Sequence, residues 1–336
     1  LAGMELGDLL ASNGGDGSQG FVIKASQSSH TNSLDVSVAA SGDVNGDGFA
    51  DFIIRDHVFN PIDQKGPAHK EIYEGGIFVV YGGEQTGVPE VDLSSLSPEQ
   101  GFAIYGNQDD FGQVDSLVKI TADQDLSGDG IADIVAISPW ADPGGRSDAG
   151  RAYVIYGDSA WGETELPEII HLRDLLPQYG GDGSQGFVLN GVGVDGNIRL
   201  GSIALQGDVN DDAIADLVVG SWGWANEEYG QTHVVFGRDV DLDDDGNIDT
   251  GFPAEIELSA LNGLDGFSIP AANAGDWLGF SVSNGGDLNG DGINDIVMGA
   301  PVATVGQRDG IGQTFVVYGA SSFSAEFDLS SLDGTN

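Results

Sequence analysis

Apolar residues fall along this chain in short runs of four to six, rich in Val, Ile and aromatics, with clusters of Gly and Asp between them. Phe52-Ile-Ile, Ile134-Val-Ala-Ile, Leu217-Val-Val and Ile296-Val-Met are typical. That length and composition predict strands joined by tight turns rather than helices. No run approaches the ~18 residues of a membrane-spanning helix.

The runs recur in a fixed order about every 80 residues. An Asp-rich nonapeptide precedes each of the four runs just named: Asp43-Val-Asn-Gly-Asp-Gly-Phe-Ala-Asp51, Asp125-Leu-Ser-Gly-Asp-Gly-Ile-Ala-Asp133, Asp208-Val-Asn-Asp-Asp-Ala-Ile-Ala-Asp216 and Asp287-Leu-Asn-Gly-Asp-Gly-Ile-Asn-Asp295. Each run is followed by an aromatic-Gly stop, at Tyr81-Gly82, Tyr156-Gly157, Phe236-Gly237 and Tyr318-Gly319. A Gly-Phe step opens a further run at Gly20, Gly101, Gly186 and Gly266, and the octapeptide Gly14–Phe21 returns unchanged at Gly180–Phe187. Such repetition is the first thing to settle about a fold.

Each unit thus predicts four short antiparallel strands. One precedes the Asp loop, one follows it, one ends at aromatic-Gly and one begins at Gly-Phe. Four-stranded antiparallel units repeated radially are the blades of a β-propeller. The expected fold is therefore all-β, one repeat domain over residues 1–336 with units at 26–104, 105–189, 190–269 and 270–320. Residues 1–25 read as an outer strand that completes the last blade. Residues 321–336 read as the start of a further repeat or a pairing tail, because Phe327-Asp-Leu-Ser-Ser-Leu332 echoes Val91-Asp-Leu-Ser-Ser-Leu96.

Charge narrows the function. The net charge of −43 argues against direct binding to nucleic acid or anionic membrane, whose phosphates it repels. With no cysteine there are neither disulfides nor thiolate metal sites, so a secreted chain needs another staple, and bound metal is the natural one. Leu1–Leu10 has neither the basic start nor the long apolar run of a secretory leader.

The nonapeptides supply that staple. They place side-chain oxygens at positions one, three, five and nine and a backbone carbonyl at seven. The expected ligands are Asp43, Asn45, Asp47, Phe49 and Asp51; Asp125, Ser127, Asp129, Ile131 and Asp133; Asp208, Asn210, Asp212, Ile214 and Asp216; and Asp287, Asn289, Asp291, Ile293 and Asp295. A fifth loop, Asp241, Asp243, Asp245, Asn247 and Asp249, lies between units. Hard oxygens in a flexible loop suit Ca²⁺ better than Mg²⁺, which demands a tight octahedron. Position twelve holds Ile54, Ala136, Val219 and Met298 instead of Glu, which argues against an EF-hand.

The units resemble the FG-GAP repeat of integrin α-subunit N-terminal β-propellers and their bacterial relatives. Phe280, Met298-Gly-Ala-Pro301 and Asp287–Asp295 carry the pattern in the fourth unit, and Phe111-Gly112 carries part of it in the second. The resemblance runs over nearly the whole chain, although these units are longer than the family's and number four where the integrin ring has seven blades. It implies strand-loop-strand Ca²⁺ sites, with ligand recognition on the opposite face. Strand alternation puts Trp140, Trp222, Trp224 and Trp277 on that face, beside the insertion Arg55–Gly75.

The functional expectation is an extracellular or cell-surface, secreted calcium-binding propeller. It acts in adhesion or ligand recognition, with a protein or glycan partner on the aromatic face. A structural subunit of a surface layer or filament, self-associating through its tail, is the alternative. An enzyme acting on polysaccharide is the least supported reading, and no catalytic residue is assigned. Only His57 and His69, with Asp56, Asp63 and Glu71, form a candidate cluster, and no nucleophile elbow, phosphate loop or thiol is present.

Overall fold

The computed structural model describes residues 9–18, 20–24, 36–40, 42–56, 76–83, 90–106, 119–162, 169–193, 198–223, 230–240, 251–306, 308 and 310–332. Among these the secondary structure is strand, with short 3₁₀ turns and no α-helix. Strand β1 (Val22–Lys24) comes first. The first unit supplies β2 (Val36–Ala40), β3 (Phe52–Asp56), β4 (Gly76–Val80), β5 (Glu90–Asp92) and β6 (Gly101–Tyr105). The second supplies β7 (Lys119–Thr121), β8 (Ile134–Ser138), β9 (Arg151–Ile155), β10 (Ile169–His171) and β11 (Gly186–Asn190). The third has β12 (Ile198–Leu205), β13 (Leu217–Gly223), β14 (Gln231–Val235), β15 (Glu255–Glu257) and β16 (Gly266–Pro270), and the fourth β17 (Ser281–Asn284), β18 (Ile296–Ala300) and β19 (Gln313–Val317).

The four expected strands of the first three units form antiparallel sheets, β2-β3-β4-β6, β7-β8-β9-β11 and β12-β13-β14-β16. Sequence reading missed the fifth, three-residue strand of each unit. It leaves its own sheet and pairs in parallel with the last strand of the unit before: β10 with β6, β15 with β11 and β5 with β1. The sheets are therefore not purely antiparallel. After each such strand a 3₁₀ turn drops its first leucine into the core, Leu93, Leu172 and Leu258.

Within residues 1–25 the described strand is β1. β1 pairs with β5, as β6 does with β10, and the last sheet contains three strands, β17-β18-β19. Residues 325–327 bracket Ser268 of β16 with two backbone hydrogen bonds, and Leu329 enters the core as its counterparts do.

Apolar side chains alternate along each strand and fill the junctions between consecutive sheets. Ile53 and Val79 meet Ile134, Tyr153 and Ile155 in the first junction. Val135 and Val154 meet Leu200, Leu217 and Val235 in the second, and Val218 and Val234 meet Ile296, Met298 and Val317 in the third. Each sheet is thus buried against its neighbours in sequence, the logic of a repeat array.

Candidate functional site

The four described Asp loops all connect the first and second strands of a unit, so the repeat places them at the same end of every sheet. Within each loop the first Asp folds the backbone over itself. Asp43 accepts from the N–H groups of Asp47 (3.0 Å) and Gly48 (2.6 Å), Asp125 from Gly128 and Gly130, Asp208 from Asp212 and Ala213, and Asp287 from Gly290, Asp291 and Gly292. The position-five carboxylate then accepts from the N–H of position seven, at 2.8–2.9 Å in Asp47–Phe49, Asp129–Ile131, Asp212–Ile214 and Asp291–Ile293. Position three leans on position five through the amides of Asn45, Asn210 and Asn289, while Ser127 bonds Asp125.

The position-nine carboxylate is the buried one. Asp51, Asp133, Asp216 and Asp295 are each at most 1% exposed. Each accepts from the position-two N–H, Val44, Leu126, Val209 and Leu288, at 2.7–2.8 Å. Each also accepts from the glycine of the aromatic-Gly stop, Gly82, Gly157, Gly237 and Gly319, at 2.8–3.0 Å. The stop glycine is required because a Cβ on it would collide with the position-eight carbonyl, Ala50, Ala132, Ala215 or Asn294. Burial pushes Asp51 up to about 6 and Asp216 up to about 8, against their backbone hydrogen bonds, with the loop's other carboxylates adding in the same direction. Asp133 is raised well above the ordinary carboxylate range for the same first reason. At the exposed fourth loop the hydrogen bond from Gly292 instead holds Asp287 down.

Neighbouring loops are tied together. The position-eight N–H of Ala132, Ala215 and Asn294 donates to the position-one carbonyl of the previous loop, Asp43, Asp125 and Asp208, at 2.8–3.3 Å. The residue after the stop glycine, Asp158, Arg238 and Ala320, donates to the previous position-two carbonyl, Val44, Leu126 and Val209, at 3.0–3.1 Å.

The donor set fits a hard divalent cation. Every side chain at positions one, three and five offers oxygen, and among the described residues the buried position-nine carboxylate has no cationic side chain bonded to it. Among the described residues no three carboxylate or imidazole side chains converge on a common point, because the loop backbone takes up the carboxylate oxygens. The loop Asp241–Asp249 and its residues Asp243, Asp245 and Asn247 lie outside the described residues, as do His57, His69, Asp63 and Glu71.

On the other side of the sheets, the tryptophans assemble in part. Trp222, Trp277 and Phe280 form a cluster with ring centroids 5.0–6.3 Å apart. Trp222 covers Gly201, where a Cβ would strike the indole. Trp277 sits at φ 58°, a left-handed backbone uncommon for a bulky residue. Arg199, paired across the ladder from Trp222, lays its guanidinium 3.9 Å from the ring centre of Trp140. Trp224 lies outside the described residues.

Sequence reading also missed a third aromatic at each junction. Trp161 packs edge-on to Phe102 beside Tyr81, Phe252 stacks on Phe187 (4.2 Å) beside Tyr156, and Phe323 stacks on Phe267 (4.1 Å) beside Phe236. The available signal was the first aromatic after each of the last three aromatic-Gly stops, at Trp161, Phe252 and Phe323.

Known proteins share these loops and strands. The FG-GAP repeat family model matches residues 119–155 and 278–317, one Asp loop in each. The chain carries FG-GAP repeats. It is 26% identical over 219 residues, 64% of its length, to integrin alpha pat-2 of Caenorhabditis elegans. It is 30% identical to phosphatidylinositol-glycan-specific phospholipase D of Bos taurus over 61% of its length, and 30% identical to the Mus musculus protein over 36%. The aligned stretches span only 15%, 21% and 13% of those relatives.

Proposed function

We propose that this chain is an extracellular calcium-binding set of β-propeller blades that recognises a ligand at a cell surface. The observation that carries the proposal is the position-nine aspartate. Four times, the repeat buries a carboxylate beneath a shell of oxygen donors and hydrogen-bonds it both to its own loop and to the glycine that ends the third strand. A bare carboxylate there is costly, and a divalent cation would offset it. Asp43, Asn45 and Asp47 with Asp51, and their counterparts in the other loops, would hold the ion, which supplies charge neutralisation and cross-linking of the loop. Sites of extracellular affinity, roughly 0.1–1 mM, fill only where calcium is millimolar, which supports an exported protein. The similarity to an integrin α chain and the aromatic cluster Trp222, Trp277 and Phe280 support recognition on the face away from the loops. We propose a binding role rather than catalysis, since the stretch shared with the phospholipases is a small part of those proteins.

A thermal melt followed by circular dichroism in EGTA and in millimolar Ca²⁺ tests this. Each filled site adds about 0.4–1.4 kcal/mol in 1 mM Ca²⁺ at such affinities, so several sites together raise the midpoint by several degrees. Superimposable melts would remove calcium from the reading and leave the loops as turns.

A further inference from the structure

In each of the three junctions a path of backbone hydrogen bonds joins the buried position-nine carboxylates of neighbouring loops. Asp51 accepts from the Val44 N–H at 2.8 Å. The Val44 carbonyl accepts from the N–H of Asp158 at 3.1 Å. The residue before Asp158 is Gly157, whose N–H donates to Asp133 at 3.0 Å. The same steps lead from Asp133 through Leu126, Arg238 and Gly237 to Asp216, with every bond between 2.8 and 3.1 Å. They lead again from Asp216 through Val209, Ala320 and Gly319 to Asp295, at 2.7–3.0 Å. Each carboxylate takes the bond from its own loop on one oxygen and the bond from the stop glycine on the other, so the path runs through the carboxylate itself.

A second tie runs through the expected ligands. The position-eight N–H of Ala132, Ala215 and Asn294 shares a rigid peptide plane with the position-seven carbonyl of Ile131, Ile214 and Ile293. That N–H is bonded to the carbonyl of the previous loop's first aspartate, Asp43, Asp125 or Asp208. Turning the position-seven carbonyl toward an ion therefore moves the donor that holds the loop before. There is little slack at this contact. A Cβ on Gly42, just ahead of Asp43, would strike the side chain of Ala132, and one on Gly207, just ahead of Asp208, would strike that of Asn294.

We infer that calcium fills these loops cooperatively, an ion in one loop raising the affinity of the loops on either side through the two ties. The inference rests on the calcium reading above. An ion held by Asp125, Ser127, Asp129 and Asp133 fixes the Asp133 carboxylate and the peptide between Ile131 and Ala132. Asp133 steadies Leu126, whose carbonyl receives Arg238 beside the third loop, and Ala132 steadies Asp43 in the first. The neighbouring loops then have less order left to gain on binding, and bind more tightly with no new contact to their ion. Charge alone works in the opposite sense. Each bound ion reduces the net charge of −43 that attracts the next, so loops linked only by their fields would fill with falling affinity. Rising affinity is the mark of the backbone path.

A calcium titration of the full chain, starting from EGTA in about 0.15 M salt to screen the charge, tests this. Each loop is followed by the NMR amide signal of its position-six residue, Gly48, Gly130, Ala213 or Gly292, whose N–H donates to the loop's first aspartate. In the wild type the four loops should fill together. Asp291→Ala empties the exposed fourth loop and should raise the calcium midpoint of the third about fivefold, moving that of the first much less. Ala320→Pro removes the N–H bonded to Val209 and no expected ligand, and the glycine before it has no Cβ to clash with the proline ring. It should weaken the third loop as Asp291→Ala does, whereas Ala320→Gly, which keeps the donor, should not. Asp291→Ala carries the test whether or not Ala320→Pro folds. A third-loop midpoint unchanged in Asp291→Ala, or a first loop weakened as much as the third, overturns the coupling and leaves the ions in place. Calcium that moves none of the four signals removes the ions from the loops, and the coupling falls with them.

Discussion

Ala213 and Asp211 occupy, in the third loop, positions that the other three loops give to glycine. All these residues adopt the same left-handed backbone: Ala213 has φ 71° where Gly48, Gly130 and Gly292 have 85–93°, and Asp211 has φ 66° where Gly46, Gly128 and Gly290 have 68–82°. The loop keeps its shape because Asp208 accepts from the Ala213 and Asp212 N–H groups whatever the side chain. A Cβ in that conformation costs about 1 kcal/mol, so Ala213→Gly is expected to stabilise the protein by about that amount in urea titration. This conflict was legible in the sequence as an alanine at a turn position. The role of the stop glycines was not, because it depends on a carbonyl and a carboxylate some 20–30 residues away. His233 was equally silent. It is fully buried, with Nδ1 2.9 Å from Ser268 Oγ and no partner for Nε2 among the described residues. Burial alone pushes its imidazole down to about 4. The unfolded chain binds this proton below about 6.5 and the folded one only below about 4. The contribution of His233 is therefore complete above about pH 6.5 and is lost as pH falls toward 4, by up to about 3 kcal/mol. Urea unfolding of His233→Gln at pH 7 and pH 4.5 should show a shallower loss than wild type; equal losses would mean that another group carries the effect.

The Gly-Phe strands show what an element-level pattern conveys and what it leaves out. Gly101, Gly186 and Gly266 share φ values of 133–144°, and a Cβ on each would strike the carbonyl oxygen of the neighbouring strand, at Val79, Val154 and Val234. The glycine lets the last strand start tight against the third, and the Phe that follows then enters the junction core. Gly186→Ala is expected to cost about 3 kcal/mol through clash and backbone strain together, read as a lower urea midpoint. A substitution within a few tenths of wild type would show that the ladder can open there without penalty. The four strands of each unit were legible because Val, Ile and aromatics mark them and Asp and Gly bound them. The parallel strands were not, since Glu90-Val-Asp92 and Glu255-Ile-Glu257 are three residues long and mostly charged. Their hydrogen-bonding partners lie in the preceding unit, beyond any local periodicity.

At the scale of the molecule, the position-two residue of the Asp loop tells junction from surface. Leu126 and Leu288 are the same residue type at the same repeat position, one 0% and one 56% exposed. Sequence alone could not separate them, because what covers Leu126 is the sheet of the next unit. In an array held by nearest-neighbour junctions, cooperativity depends on each interface. The junction around Leu126 is doubly secured, by apolar contact with the third unit and by the Leu126 carbonyl that accepts from Arg238. Leu126→Asp would bury an unpaired charge among Val135, Val154 and Leu217, a change costly enough to uncouple the units on either side. Its thermal melt is therefore expected to split into two transitions, with the first two units and the last two unfolding separately. Leu288→Asp, on an exposed face, should keep the single transition of the wild type. If Leu126→Asp also melts in one step, merely lower, the loop-to-loop hydrogen bonds are enough to carry cooperativity across a junction whose apolar core has been broken.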